Sequence, residues 1–311
     1  MTHSPDSPSL PERRRWLALS TLGLGAAGLG VGLLAAPERA SAQSCAEDTL
    51  DRIKRTGAFN MGVRDAAPPY GFKDASGQYV GFATDLARAI YDAVNAELGG
   101  KIQLNLIPVT SQTRIPLLQN DTIDMEAGAT VVTQARTKVV DFVMVHFLTS
   151  TEVLVPVDSP IKTLADMAGK RIGIPQGGLE EARYRAINAA HTLSSPVQTI
   201  GFPDHPQGFT ALQTGSIDAY SSDGPIVYGL GSDATKWRVF DPGINTFLQA
   251  FPIRPESSKF KHIADVTLAN LYTNGGWTRL YETYFGPKSP APFPMTDTLK
   301  ALVVMNAWPV Q

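Results

Sequence analysis

From residue 47 onward, helical and strand periodicities alternate along the chain. "DTLDRIKRTG" (48–57) reads as a short helix closed by Gly57, and "AFNMGVR" (58–64) as the strand after it. "GFATDLARAIYDAVNAELGG" sets residues 86, 89, 90, 94 and 98 on one helical face and stops at Gly99-Gly100. "KIQLNLIPV" is the next strand, followed by a helix over 112–120 and a strand over 123–126. Further on, 162–174 gives a turn of helix and a strand, and 179–191 a helix. Strands at 197–202 and 217–223 flank a helix over 206–214. Strands at 237–240 and 247–254 and helices at 259–274 and 277–285 follow. This alternation predicts an α/β fold. Two extended apolar runs, 152–157 and 247–253, bracket the middle third. If both cross between two lobes, lobe two is 154–248, and lobe one joins 43–153 to 249–311. A ligand cleft then falls at strand ends and helix starts.

The first 42 residues follow another plan: a basic cluster, a charge-free apolar run over 16–36, then Ala40-Ser41-Ala42. That is the layout of an export signal cleaved near Ala42. The run is long enough to anchor in a membrane, but its glycines and small-residue exit favour cleavage. Arg13-Arg14-Arg15-Trp16-Leu17 resembles a twin-arginine signal, although the usual Ser or Thr before the pair is missing. The expected location is the periplasm. Cys45 is the only cysteine, so an internal disulfide is excluded, and Ala42-Gln43-Ser44 argues against a lipid anchor on it.

Composition adds boundaries. With 311 residues, 43% hydrophobic and 18% charged, the chain has the make-up of a globular protein large enough for two lobes. A formal charge of −2 offers no footprint for nucleic acid or an anionic membrane. His3, His146, His191, His205 and His262 are scattered, and no P-loop or Gly-x-Ser-x-Gly occurs. No metal or cofactor is expected, and the chain is expected to be monomeric.

One charge is in an odd place. Pro116 is tolerated only near a helix start, so Arg114 falls in the first turn of its helix. The dipole there is already positive. Either Arg114 is an ordinary solvated side chain, or an anion comes to meet it.

"GVRDAAPPYGFKDASGQYVGFATDLARAI", "VTSQTRIPLLQNDTIDMEAGAT", "TLADMAGKRIGIPQGG", "ALQTGSIDAYSSD" and "GGWTRLYETYFG" occur in that order. Together they resemble the periplasmic solute-binding proteins of polar amino-acid ABC importers (family 3), nearest the glutamate/aspartate-binding branch. The resemblance covers 46–286. It implies a two-lobed periplasmic-binding-protein fold with two crossing hinge strands (type II), a small amino-acid or carboxylate ligand, and an inner-membrane ABC permease as partner. In that branch the residues matching Arg114 and Arg64 hold the ligand's side-chain carboxylate, with Ser111 beside them. The residue matching Arg136 clamps the α-carboxylate, and the one matching Asp223 pairs the ammonium. Thr130, the backbone at Ala129, the Gly177-Gly178 nest and His205 are further candidate contacts. Tyr70 and Phe72 are candidate walls for the ligand's stem.

Each has a plainer alternative. Arg64 could form a rim salt bridge with Asp65 or Asp85, Arg136 could be an exposed helix residue, and Asp223 a turn former before Gly224-Pro225. His205 could be a hydrogen-bonding surface residue, and aromatics after Pro-Pro are as often packing. Val131, Gly178 and Leu179 stand where family members carry hydroxyl residues. A periplasmic cyclohexadienyl dehydratase on the same fold is the enzyme alternative, with Glu181 soon after the Gly-Gly turn as its candidate acid. A binding protein, not an enzyme, is the expectation.

Overall fold

A computed structural model describes residues 47–309. The leader expected over 1–42 and the environment of Cys45 lie outside the described residues.

Two sheets organise the chain. In the first, Gln103–Pro108, Ala58–Val63 and Met125–Ala127 run parallel. Pro252–Ile253 then pairs antiparallel with Met125–Ala127 on one side and Asp141–Phe142 on the other. Phe59, Met61 and Val63 of the second strand are fully buried, because helices cover this sheet. Phe82–Glu97, Ser258–Thr273 and Gly276–Phe285 supply that cover. Their aromatic centre is Phe82, Trp277, Tyr281 and Phe285 around Phe147.

The second sheet has the order Gln198–Phe202, Arg171–Pro175, Ala219–Asp223, Phe147–Pro156, Trp237–Phe240. Strand alternation separates its two faces. Val153 and Val155 join Ile172 and Tyr184 in one core, while Leu154 joins Tyr220 and Val227 in the other.

The sheets share one long strand. Residues 147–150 of Phe147–Pro156 pair with Thr246–Gln249, and residues 151–156 pair with the second sheet. The extended run expected over 152–157 therefore starts at Phe147. The run over 247–253 is not one strand: it divides into Thr246–Gln249 and Pro252–Ile253, with Ala250-Phe251 between sheets.

Other differences are local. The helix expected from residue 112 is Arg114–Gln119, after a turn in which Thr110 and Thr113 bond each other. Gly224–Leu230 is a helix, not a simple turn, with Pro225 in the first turn where its missing N–H costs nothing. Asp297–Asn306 and a small sheet of Ala66–Ala67, Gly71–Lys73 and Tyr79–Val80 were not expected.

Candidate functional site

Four chain reversals meet where the two sheets face each other. Arg64 follows strand Ala58–Val63, and residues 128–131 follow Met125–Ala127. Gln176–Gly178 joins Arg171–Pro175 to helix Leu179–Ala189, and Asp223 ends Ala219–Asp223. All are carboxyl ends of strands, where α/β clefts form. They enclose a tight cavity of about 20 Å³, room for little more than a water molecule with the walls as they stand.

Three guanidiniums line it. Arg64 and Arg114 are 5% and 4% exposed. Neither alternative partner of Arg64 holds it: Asp65 lies 3.5 Å from Lys73 Nζ, and Asp85 accepts from the Tyr284 hydroxyl. Arg64 has no ion pair among the described residues. Arg114 has one loose neighbour, Glu126 Oε1, at 3.7 Å. Its Nε is buried without a partner. Arg136 opens a short 3-10 turn, Arg136–Lys138. It donates to the carbonyls of Val131 at 2.8 Å and Gly177 at 3.3 Å. Burial, then the neighbouring charge of Arg114, pushes Arg64 and Arg136 down to about 10, so both stay charged at neutral pH.

Asp223 faces them from the second sheet and accepts from Gln249 Nε2 at 3.0 Å. Burial, then the Glu180 carboxylate, pushes it up to about 8. His205 is buried, with Nδ1 2.9 Å from the Tyr220 hydroxyl. Burial pushes it down to about 3, so the ring is neutral and not a surface group. Ser111, Ala129 and Gly178 also line the pocket.

Three expected contacts lie elsewhere. Tyr70 is fully buried and packs edge-on against Phe82, Phe147 and Phe285, so it belongs to the aromatic core. The Thr130 hydroxyl donates to Glu126 Oε2 at 2.7 Å, turned away from the pocket. Gly177 gives its N–H to Glu181 Oε1 and Gly178 gives its own to the Pro175 carbonyl, so the expected nest is already occupied. Gly177 is still a forced glycine. Its φ is +71°, and a β-carbon would lie 2.8 Å from Gln112 Cα across the cleft.

Pro175, Ser222 and Ile226 line the pocket without having been expected there, and so does one charged residue, Glu180. It is 2% exposed and lines the pocket. Glu181, the carboxylate singled out instead, caps the Gly177 turn and lines an outer groove. Adjacent helical residues diverge by about 100°, so only one of the two can face inward.

The chain matches the model of bacterial extracellular solute-binding proteins, family 3, over residues 59–287. It is 32% identical to the L-glutamate/L-aspartate-binding protein of Pseudomonas aeruginosa, covering 82% of this chain and 87% of that one. It is 30% identical to the glutamate/aspartate import solute-binding protein of Escherichia coli K12, covering 88% and 92%. Among solved structures, a mutant of ArgBP from T. maritima aligns with TM-score 0.68 at 23% identity, over 76% of this chain and 99% of that one. An ancestral amino-acid-binding protein, a precursor of cyclohexadienyl dehydratase, aligns with TM-score 0.67 at 23% identity, over 77% and 100%. These two likenesses speak for the two-lobed fold alone. The chain belongs to the family-3 bacterial extracellular solute-binding proteins.

Proposed function

We propose that this protein captures a small carboxylate of the acidic-amino-acid kind, glutamate or aspartate or a close relative, in the pocket between its lobes. It is the substrate-binding component of an amino-acid ABC importer and would present its ligand to an inner-membrane permease. The carrying observation is the pair Arg64 and Arg114, two buried guanidiniums aimed into one pocket with a single carboxylate 3.7 Å from one of them. A buried charge without a close partner is costly, and an incoming carboxylate removes that cost through charge-assisted hydrogen bonds. Ser111 and His205 flank the same end, and Asp223 offers an acceptor to an ammonium. Lobe one, 43–153 with 249–311, would bind first, and lobe two, 154–248, would close over the ligand. The leader would direct the chain to the periplasm and be removed near Ala42. The protein would act as a monomer, without catalysis.

A thermal-shift panel tests this. Glutamate, aspartate and 4-aminobutyrate, each with a carboxylate set apart from its amine, should raise Tm more than glutamine, leucine or lysine. Greatest stabilisation by one of the latter three would sink the two-arginine argument.

A further inference from the structure

Gln249 closes strand Thr246–Gln249 and is fully buried. Its backbone is held on two sides. It is the register partner of Phe147 in the long strand, and it bridges to Val131 in the loop that lines the pocket. Its carbonyl also accepts from the His146 N–H at 2.9 Å. Its side chain donates from Nε2 to Asp223 Oδ2 at 3.0 Å, the only hydrogen bond that either side chain makes among the described residues. Oε1 of the same amide is buried without a hydrogen-bond partner. An apolar side chain of similar length would avoid that penalty, because a buried polar group left half satisfied destabilises a fold. Packing alone therefore does not account for an amide at 249.

Asp223 has a need that this amide meets. Burial and the Glu180 carboxylate work against its charge, while Arg114, Arg183 and Arg136 favour the charge through their field. To pair with an ammonium, the group has to be a carboxylate. An N–H donated to a carboxyl oxygen favours the ionised form. The amide nitrogen is a donor only, so its bond engages one lone pair of Oδ2 and leaves Oδ1 open to a ligand. Asp223 lines the pocket and Gln249 stands behind it, on the strand that runs beside the long one.

We propose that Gln249 is a positioning residue for amine recognition: its amide holds Asp223 as an aimed carboxylate, so that the pocket prefers acidic amino acids over dicarboxylates of the same length that lack the amine. The inference rests on the reading of the pocket as an acidic-amino-acid site with Asp223 as the acceptor for the ammonium. Arg64, Arg114 and Arg136 would serve carboxylates, which both ligand classes carry. Only the amine separates the classes, and the Gln249 side chain bonds only Asp223. Losing its donor should therefore act on one class and spare the other.

Calorimetry at neutral pH with two matched pairs tests this: glutamate against glutarate, and aspartate against succinate. Wild type should bind the preferred amino acid about tenfold or more tighter than its amine-free match. Gln249→Met keeps the length and removes the donor, and Gln249→Leu takes its place if that variant does not fold. The variant should weaken the amino acid by about tenfold or more and leave the dicarboxylate within about threefold, so that the ratio collapses. Asp223→Ala should collapse the same ratio. An equal loss for both ligands of a pair, or a ratio that only Asp223→Ala moves, overturns the role of Gln249 and leaves Asp223 standing. A wild-type ratio near one, or one that Asp223→Ala leaves unchanged, overturns amine recognition by Asp223 and this inference with it. Failure of all four probes to bind wild type overturns the acidic-amino-acid site itself.

Discussion

Arg136 Nη2 donates to the Gly177 carbonyl at 3.3 Å, a bond thrown across the cleft from one lobe to the other. The same guanidinium holds the Val131 carbonyl at 2.8 Å, so it braces its own loop while touching the facing one. Arg136→Ala should loosen closure. Small-angle scattering of the ligand-free variant is expected to give a larger radius of gyration than wild type, and affinity for the bound carboxylate should fall at least tenfold, about 1.4 kcal/mol. Identical scattering curves would return Arg136 to a purely local role.

Gly177 is constrained twice, by φ +71° and by Gln112. Gly177→Val should therefore cost about 1–2 kcal/mol from backbone strain alone, and more in the closed form. The expected signature is a modest drop in Tm without ligand and a much smaller ligand-induced rise than in wild type. A full ligand-induced rise would mean that the approach to Gln112 is not needed for binding.

Arg64→Ala and Arg114→Ala should separate binding from stability. Each would remove half of the proposed carboxylate site, and affinity should drop roughly a hundredfold, about 3 kcal/mol. Only Arg114→Ala also strips Glu126 of the one ion pair it makes among the described residues, leaving that carboxylate with the Thr130 hydroxyl. Its Tm should fall below that of Arg64→Ala in chemical and thermal unfolding. Equal Tm values for the two variants would show that Glu126 does not depend on Arg114.

Glu152 should make ligand-free stability depend on pH. Burial pushes its carboxyl up to about 7, against the Ser150 hydroxyl that bonds it and with Asp241 adding to the rise. A carboxyl with a raised folded-state pKa stabilises while protonated. That contribution is complete below about 4.5, the unfolded value, and is lost as pH rises through about 7. Glu152→Gln keeps the neutral shape at every pH. The Tm difference, variant minus wild type, should grow from pH 5 to pH 8; a flat difference would show that Glu152 titrates normally.

Glu181 should prove structural. Its carboxylate accepts from the Gly177 N–H at 3.1 Å and stands at an outer groove. Prephenate or arogenate incubated with the protein should remain intact, and Glu181→Gln should keep ligand affinity within about threefold. Turnover that vanishes in that variant would replace transport by catalysis.

Much of this is legible in the amino-acid sequence. Arg64, Ser111, Arg114, Ala129, Arg136, Gly178, His205 and Asp223 all reach the pocket. They sit at strand ends and helix starts, which periodicity marks well. What was not readable depends on direction rather than position. Thr130 neighbours Ala129, yet its hydroxyl turns to Glu126. Tyr70 follows the Pro-Pro loop as expected, yet Phe82, Phe147 and Phe285 draw its ring into the core. Glu180 and Glu181 differ by one helical step, and nothing local says which faces inward. Gly178 held the one available clue: a missing side chain beside two glutamates leaves room for one of them to fold back. Helix Gly224–Leu230 was hidden because Gly-Pro marks a turn and a helix start alike.

The long strand Phe147–Pro156 changes partners within a single peptide step. Ser150 is the register partner of Thr246, and Thr151 is the register partner of Asp223. Asp223, the acceptor proposed for the ligand, is thus laddered directly onto the place where the strand passes from one set of partners to the other. No lever arm separates them. Any change in how the strand lies between its two sets of partners therefore reaches Asp223 through one backbone ladder step.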